Sequence, residues 1–501
     1  MQIIESAKKY VFHMEPPIPP VTQENVANVL QQCYEQKIAP FERMHAYEQF
    51  HTSTLTGPEF NSKPMVLFLG QYSVGKTTMI KYLMGGQEYP GSQIGPEPTT
   101  DCFIVVHYNE AVRTIMGTTL AADSNLPFHS LNQFGSSFLT HLRGASLPVP
   151  MLKHVFLIDT PGILSGQKQT ISREYDFASV VRFMADKVDM IIMLFDTSKL
   201  DINDEYKLVL QHLKGNEEKI KIVLNKADCV DPGELVRVRG ALMWSLSKIM
   251  TTPEVPKVFI GSFSIPNKNT KNSEVLNLFK DDYADLFKEL ERLPIQHLSR
   301  KVNDVIKRAK SVRVHALIMD EMLKKMWYRS EKQRTLMLRD KKLKAIFLDI
   351  KLKYRMAESD MPDYETFKDH AQKSYLKSWN RIKPKMLLKL EEFLMKDVTK
   401  ICENLPNDDS GAASLKREFD IILEQRNEAI EALTAEKAAS PANNNAKAEE
   451  KKEASKKASI RKEASKKASI RKEVATPKKK ESTGTKSATK SPQVDVTQKE
   501  D

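Results

Sequence analysis

Short apolar runs of five to seven residues recur along the first half of the chain, at 65–70, 103–108, 154–159, 190–196, 220–225 and 257–261, with helical periodicity between them. Runs this short read as strands buried on both faces, and their alternation with helical stretches predicts an α/β unit built on a parallel sheet. Ahead of them, Val26, Val29, Leu30, Tyr34, Ile38 and Phe41 repeat at mixed three- and four-residue spacing within 24–51, the pattern of an amphipathic helix. Pro16, Pro17, Pro19 and Pro20 cut that helix off from the first fifteen residues, because proline lacks the amide a helix interior needs. From about 272 to 406 strand signals vanish and the chain becomes charged and helical, punctuated at Pro294 and Pro362, and one more helix is expected over 413–435.

Composition changes this picture mainly at the C-terminus. The formal charge is +12, but 437–501 holds 18 Lys and Arg against 9 Asp and Glu, a net of +9, so the first 436 residues are nearly neutral. A near-neutral body argues against a protein whose whole surface grips nucleic acid. The segment 451–460 recurs at 461–470 with Arg461 in place of Lys451, and no aromatic follows Phe419. Such a Lys/Ala/Ser-rich tail buries too little apolar surface to offset the entropy of ordering and is expected to be disordered, either a solvated spacer or a contact for anionic partners. No run approaches the roughly 18 apolar residues of a membrane-spanning helix. The four cysteines match no metal-ligand spacing and the N-terminus carries no secretory pattern, which together predict a cytoplasmic protein.

The chemistry begins directly after the first strand. Gly70-Gln71-Tyr72-Ser73-Val74-Gly75-Lys76-Thr77 matches G-x-x-x-x-G-K-[ST] at every fixed position, and Thr78 opens the helical stretch that follows. Glycines let backbone amides curl around a β-phosphate, Lys76 neutralises β and γ oxygens, and the Thr77 hydroxyl is a Mg²⁺ ligand. Asp159-Thr160-Pro161-Gly162 ends a later strand, placing a carboxylate to hold Mg²⁺ through water and a glycine amide to sense the γ-phosphate. Between them, 96–101 is a candidate first switch whose Thr99 or Thr100 completes the metal shell, and Asn225-Lys226-Ala227-Asp228 after another strand is a base-binding motif. Four short motifs in this order predict a P-loop GTPase-type domain, with Lys76, Thr77, Asp159 and Gly162 around the phosphates and the metal.

The longer segments 70–78, 95–103, 158–166 and 240–246 resemble the EH-domain-containing ATPases, membrane-remodelling relatives of dynamin, and the similarity runs from about Val21 to Leu405. The resemblance implies a dynamin-like nucleotide-binding domain over 57–288, seated on a helical domain formed by 21–56 and 289–406. An N-terminal segment 1–20, a helical extension 407–436 and the tail 437–501 complete the expected organisation. It also implies slow hydrolysis stimulated by assembly, since Ile163 stands where Ras-like enzymes place a water-orienting glutamine. ATP is favoured over GTP, although Cys229 occupies the place of a bulkier family methionine that crowds guanine. A GTP-dependent switch and a non-catalytic scaffold are the competing readings.

Further roles follow from the same resemblance: Thr100 matches a threonine that supports Mg²⁺ binding and hydrolysis, which implies a catalytic set of Thr100, Lys76 and Gly162 and a metal set of Thr77, Thr100 and Asp159. Trp244 matches a hydrophobic dimer contact, against the plain alternative of a core tryptophan, and homodimers are expected to build ring-like oligomers. The stretch 323–334 matches the membrane-binding tip, with Met326, Trp327 and Tyr328 at the interface and Lys324, Lys325, Arg329, Lys332 and Arg334 facing the phosphates of anionic lipids. A solvated charged face, with Trp327 packed between helices, is the alternative. No calcium loop of the EH type follows 406, so Asn-Pro-Phe peptide binding is not expected, and a peripheral location on endosomal or plasma membranes is.

Overall fold

The computed structural model describes residues 18–23, 25–92, 101–163, 174–200, 202–250, 257–264, 279–326, 330–375, 378–405 and 410–439. Thr99, Thr100, Trp327, Tyr328, Arg329 and the tail from 440 onward lie outside the described residues.

Eight strands form one sheet: β1 (Met65–Gly70), β2 (Phe103–Tyr108), β3 (Arg113–Met116), β4 (Leu142–Leu147), β5 (Phe156–Asp159), β6 (Met190–Asp196), β7 (Ile220–Asn225) and β8 (Val258–Ile260). Their order is β3-β4-β2-β5-β1-β6-β7-β8. The central strand β1 is parallel to β5 and β6, and β7 and β8 continue the parallel array. The sheet departs from an all-parallel one at β2, which lies antiparallel to β5. Burial on both faces sets the apolar run of a strand but carries no information on its direction. The sequence pattern also passes over β3 and β4. β3 is an exposed edge strand paired only with β4, and β4 contains Gly144, where a Cβ would stand 3.1 Å from both Ile115 and Leu120 side chains. Neither has the unbroken apolar run of a central strand.

Alternation along β1 feeds two cores. Met65, Leu67 and Leu69 join one face with Ile158, Ile191 and Met193, while Val66 and Phe68 join the other with Leu157, Ile192 and Leu194. The helices that position the sites below are α1 (Val26–Cys33), α2 (Lys76–Leu83), α3 (Phe177–Lys187), α4 (Pro232–Ser247), α5 (Lys280–Glu291), α6 (Leu293–Lys324), α7 (Asp340–Tyr354), α8 (Tyr364–Lys373), α9 (Pro384–Glu392) and α10 (Ser410–Ala439). α3 supplies Val180, Val181 and Met184 to the first core, and α5 and α10 meet the second through stacked Phe287 and Phe419 rings 4.9 Å apart.

A separate core joins the two ends of the sequence. Val26, Val29 and Leu30 of α1 pack with Val302, Val305, Ala309 and Val312 of α6 and with Leu390 of α9. Arg308 bolts the pair, donating from Nε to Glu42 Oε1 at 2.6 Å and from its terminal nitrogens to Thr52 and Ser53. Farther along α6, Met319, Met322 and Met326 pack with Leu343, Ile346 and Ile350 of α7, Phe367 of α8 and Trp379. Among the described residues no helix is long and apolar enough to cross a membrane.

Candidate nucleotide-binding site

The loop from β1 to α2 is shaped by two glycines and held from behind by β6 and β7. Gly75 sits at φ +97° as the N-cap of α2, and a Cβ there would lie 2.5 Å from Asn225 Nδ2. A Cβ at Gly70 would meet the Leu194 carbonyl oxygen at 2.7 Å. Ser73 also adopts left-handed backbone, at φ 64°. Gln71, Tyr72, Ser73, Thr77 and Thr78 are at least partly open while Val74 is buried. The Lys76 ammonium donates to the Gly70 and Gln71 carbonyls at 3.1 Å each, curling back across the loop. This places a cation beside the N-terminus of a helix, an arrangement suited to an anion.

At the end of β5 the chain continues alongside the loop. Ile163 N donates to the Gly70 carbonyl at 3.1 Å and Tyr72 N donates to the Ile163 carbonyl at 3.3 Å. Gly162 lies so near this seam that a Cβ would approach Tyr72 Cα to 2.8 Å. Asp159 is fully buried beneath it, and its Oδ2 accepts from Thr77 Oγ1 at 2.6 Å and from Tyr89 OH at 2.8 Å. Burial raises the Asp159 pKa, against the lowering influence of the Lys76 charge and these two hydroxyls. Its Oδ1 is buried without a hydrogen-bond partner among the described residues. A buried carboxylate with one uncommitted oxygen, beside a threonine hydroxyl, is a hard oxygen donor set, so the residues fit Mg²⁺.

Asn225 knits the base-binding motif to the loop. Its Nδ2 donates to the Val74 carbonyl at 2.8 Å, while its Oδ1 accepts from Lys226 N at 2.8 Å and Phe263 N at 3.1 Å. Lys226, at φ 61°, donates from Nζ to Ser73 O at 2.7 Å and pairs with Asp196 Oδ2 at 2.6 Å. Burial opposes ionisation of Asp196, but hydrogen bonds from Lys226 and Ser198 outweigh it and hold its carboxyl below the usual range. Asp228 is half-buried in the following turn and Cys229 is exposed. Two participants were not evident from motif spacing. Asp196 announces itself only as an acid closing a wholly apolar strand beside the loop, and Tyr89 carries no local signal.

Away from this site, Trp244 stands on α4 at 67% exposure, with Lys248 Nζ 5.0 Å from its ring, so it is not a core residue. The expected membrane tip needs correction. Met326 is buried against α7 and α8, because the turn that ends α6 folds it inward. Arg334 is turned inward, donating to the Ser374 carbonyl at 2.6 Å and pairing with Glu331. Lys324 pairs with Asp320 at 2.6 Å and Lys325 with Asp349 at 3.0 Å, so both brace α6 as well as carrying charge. Lys332 is exposed.

The chain is similar to known proteins over most of its length. Residues 66–227 match the Dynamin family, and residues 296–402 match a domain of unknown function, DUF5600. Over 386 residues the chain is 43% identical to EH domain-containing protein 2 of Mus musculus, covering 76% of this chain and 70% of that protein. It is 43% identical over 382 residues to EH domain-containing protein 1 of Rattus norvegicus, covering 75% and 70%. A solved structure of an oligomerised bacterial dynamin pair is similar at 14% identity and a TM-score of 0.31, covering 94% of this chain and 85% of that one.

Proposed function

The chain belongs to the EH domain-containing family of dynamin-related proteins, and from that premise we propose that it is a Mg²⁺-dependent ATPase that assembles on anionic membranes and remodels them. The observation that carries the reading is the convergence of Lys76, Thr77 and Asp159 on one concavity at the N-terminus of α2. Backbone amides of 73–77 and the Lys76 ammonium bind and orient the β- and γ-phosphates. Thr77, and Asp159 through water, would hold Mg²⁺, with Thr100 as a further candidate ligand, and the ion when bound would supply charge neutralisation of the phosphate oxygens. Lys226 and Asp228 receive the base, with Lys226 already fixed by Asp196.

Ile163 is almost fully buried, and an alkyl group orients no water. Hydrolysis is therefore slow in the isolated protein and needs assembly to order the attacking water, a matter of positioning. Support for dimerisation comes from α4, where Val236 and Trp244, both more than 65% exposed, flank Gly240 along one face. An exposed aromatic of this kind is the usual anchor of an interface.

Support for a membrane contact comes from α7. Leu348 and Leu352 are exposed at 55% and 69% and stand one turn apart, with the exposed Lys341 on the same face two turns back and the exposed Lys342 at its edge. The acids of that helix are taken by other elements, Asp340 by Lys368 and Asp349 by Lys325. Apolar side chains rimmed by uncompensated lysines suit an anionic lipid surface. The tail from 437 is a second candidate contact of the same kind, and the cytoplasmic face of endosomal or plasma membranes is the proposed location.

GTP is the second reading of the base, favoured by the Asn225-Lys226-Ala227-Asp228 motif and by the small, exposed Cys229. Turnover of ATP and GTP measured side by side, with and without anionic liposomes, tests both. ATP hydrolysis that rises on liposomes and disappears in Lys76→Ala is expected. Liposome-independent turnover would remove the membrane reading, and preference for GTP would reverse the base assignment.

A further inference from the structure

A second cavity lies away from the nucleotide loop. It has a volume of about 400 Å³, opens to solvent, and is lined by the start of β1 at Met65, the C-terminal end of α3 and residues 301–311 of α6. That size is ordinary for a small-molecule site. Its walls are unusual in charge: six cations, Lys187, Lys214, Lys219, Lys301, Lys307 and Arg308, face three carboxylates, Glu59, Asp186 and Asp304.

The pairings inside the cavity account for only part of this charge. Glu59 is taken by Lys187, and Arg308 is saturated by Glu42, Thr52 and Ser53. Asp186 Oδ1 accepts from Asn216 Nδ2 at 2.7 Å. Lys219 is buried, and among the described residues its ammonium hydrogen-bonds to the Ala185 and Asp186 carbonyls at 3.1 and 3.3 Å, with the Asp304, Asp186 and Asp189 carboxylates acting on it only through space. Lys307 reaches only the exposed Glu218 at 3.9 Å, and Lys301 makes neither an ion pair nor a hydrogen bond among the described residues. Asp304 faces Lys219, Lys301 and Lys307, and burial raises its carboxyl pKa despite them. Burial also lowers the pKa of Lys187 and Lys219, so both ammonium groups stand in surroundings that disfavour their charge. Such groups gain most from a bound counter-charge. Phe60, Phe183 and Val305 offer apolar wall beside the cations.

We propose that this cavity is a second ligand site, which takes a small soluble molecule bearing two or more phosphate groups and thereby clamps α3 to α6. The lysines come from both sides of the seam, Lys187 and Lys219 from the sheet domain and Lys301 and Lys307 from α6, so one polyanion bridges them. Since α3 follows the segment 159–163 that lines the nucleotide loop, the occupant is placed to regulate communication between nucleotide and helical arm. None of this depends on the base or membrane assignment above.

The test uses full-length Lys76→Ala protein, which disables the nucleotide loop, and fructose 1,6-bisphosphate as the probe. Calorimetry is expected to give one saturable site, weakened about tenfold by Lys301→Gln and at least as much again by adding Lys307→Gln, each the loss of a charge-assisted contact. Hydrogen exchange is expected to slow at 181–187 and 301–311 together on binding. Thermal unfolding of the two glutamine variants without probe serves as the folding control. Absence of saturable binding, or binding indifferent to both substitutions, overturns the proposal. So does dependence on Lys301 seen only for vesicles carrying a bisphosphorylated inositol lipid, because the ligand would then be a headgroup.

Discussion

Acid should unfold the helical arm before any ligand chemistry is touched, because its core encloses histidines that must stay neutral. His45 and His315 are fully buried, joined by a contact of 3.0 Å between His315 Nε2 and the His45 carbonyl. His51 stacks on Tyr47 and meets the His315 ring edge-on. Burial lowers the pKa of His45 to about 4 and that of His315 to about 3, from an ordinary 6.5. Asp320 opposes the shift at His45, while the neighbouring histidines reinforce it at His315. The unfolded chain therefore takes up these protons first, and stability is complete above pH 7 and lost as pH falls through 6.5 toward 4. At pH 5 each ring costs about 2 kcal/mol, and the two together about 4 kcal/mol. That is a large share of the roughly 5–15 kcal/mol that holds an ordinary domain together. Urea denaturation at pH 7.5 and 5.0 reads the difference directly, and His45→Leu should shrink it by about 2 kcal/mol whatever the variant does to stability at pH 7.5. Equal pH dependence in wild type and His45→Leu would refute the reasoning.

Other substitutions probe the nucleotide loop and the two exposed surfaces. Gly75→Ala forces a side chain into left-handed backbone and against Asn225 Nδ2, and triphosphate affinity measured by calorimetry should fall about tenfold or more. Trp244→Ser removes an exposed anchor on α4, so sedimentation should show a dimer weakened by about thirtyfold with an unchanged thermal midpoint. Combining Lys341→Gln with Lys342→Gln should lower affinity for anionic vesicles about thirtyfold, at roughly 1 kcal/mol per basic group, and leave binding to neutral vesicles as it was.

How far these features can be read from sequence depends on whether the information is local. The loop 70–77, Asp159 and the Asn225 motif are legible because each must present fixed groups within a few residues of a strand end. The antiparallel placement of β2 is not legible, since Val105 and Val106 are buried whichever way the strand runs. Tyr89 is invisible for a related reason: it reaches Asp159 from a turn seventy residues away in sequence. The tip shows how a local pattern misleads. Met326 among lysines looks like an interfacial residue, yet the turn that ends α6, with Met326 N donating to the Leu323 carbonyl at 3.3 Å, folds it into the arm's core. Leu348 and Leu352, on a helix with charged residues all along it, are the ones left outside.

Ile163 invites the substitution that would make this site resemble a Ras-like enzyme, and the structure argues that it should fail. Its backbone is fixed on both sides, N to the Gly70 carbonyl and carbonyl to Tyr72 N. Those bonds aim the side chain into the core shared with β1 and α3, at 1% exposure. In Ile163→Gln the amide would replace an alkyl group among apolar neighbours, and leaving it without partners costs about 1–3 kcal/mol. It would not reach the phosphate side of the loop without breaking the pairing that shapes the loop itself. Single-turnover hydrolysis should therefore be no faster than wild type, and the thermal midpoint should drop by several degrees. Faster hydrolysis with an unchanged midpoint would mean that the segment after Asp159 rearranges on nucleotide binding and that position 163 then faces the γ-phosphate. The slow basal turnover proposed above would in that case lie in the side chain at 163 alone, with no need for assembly to position the water.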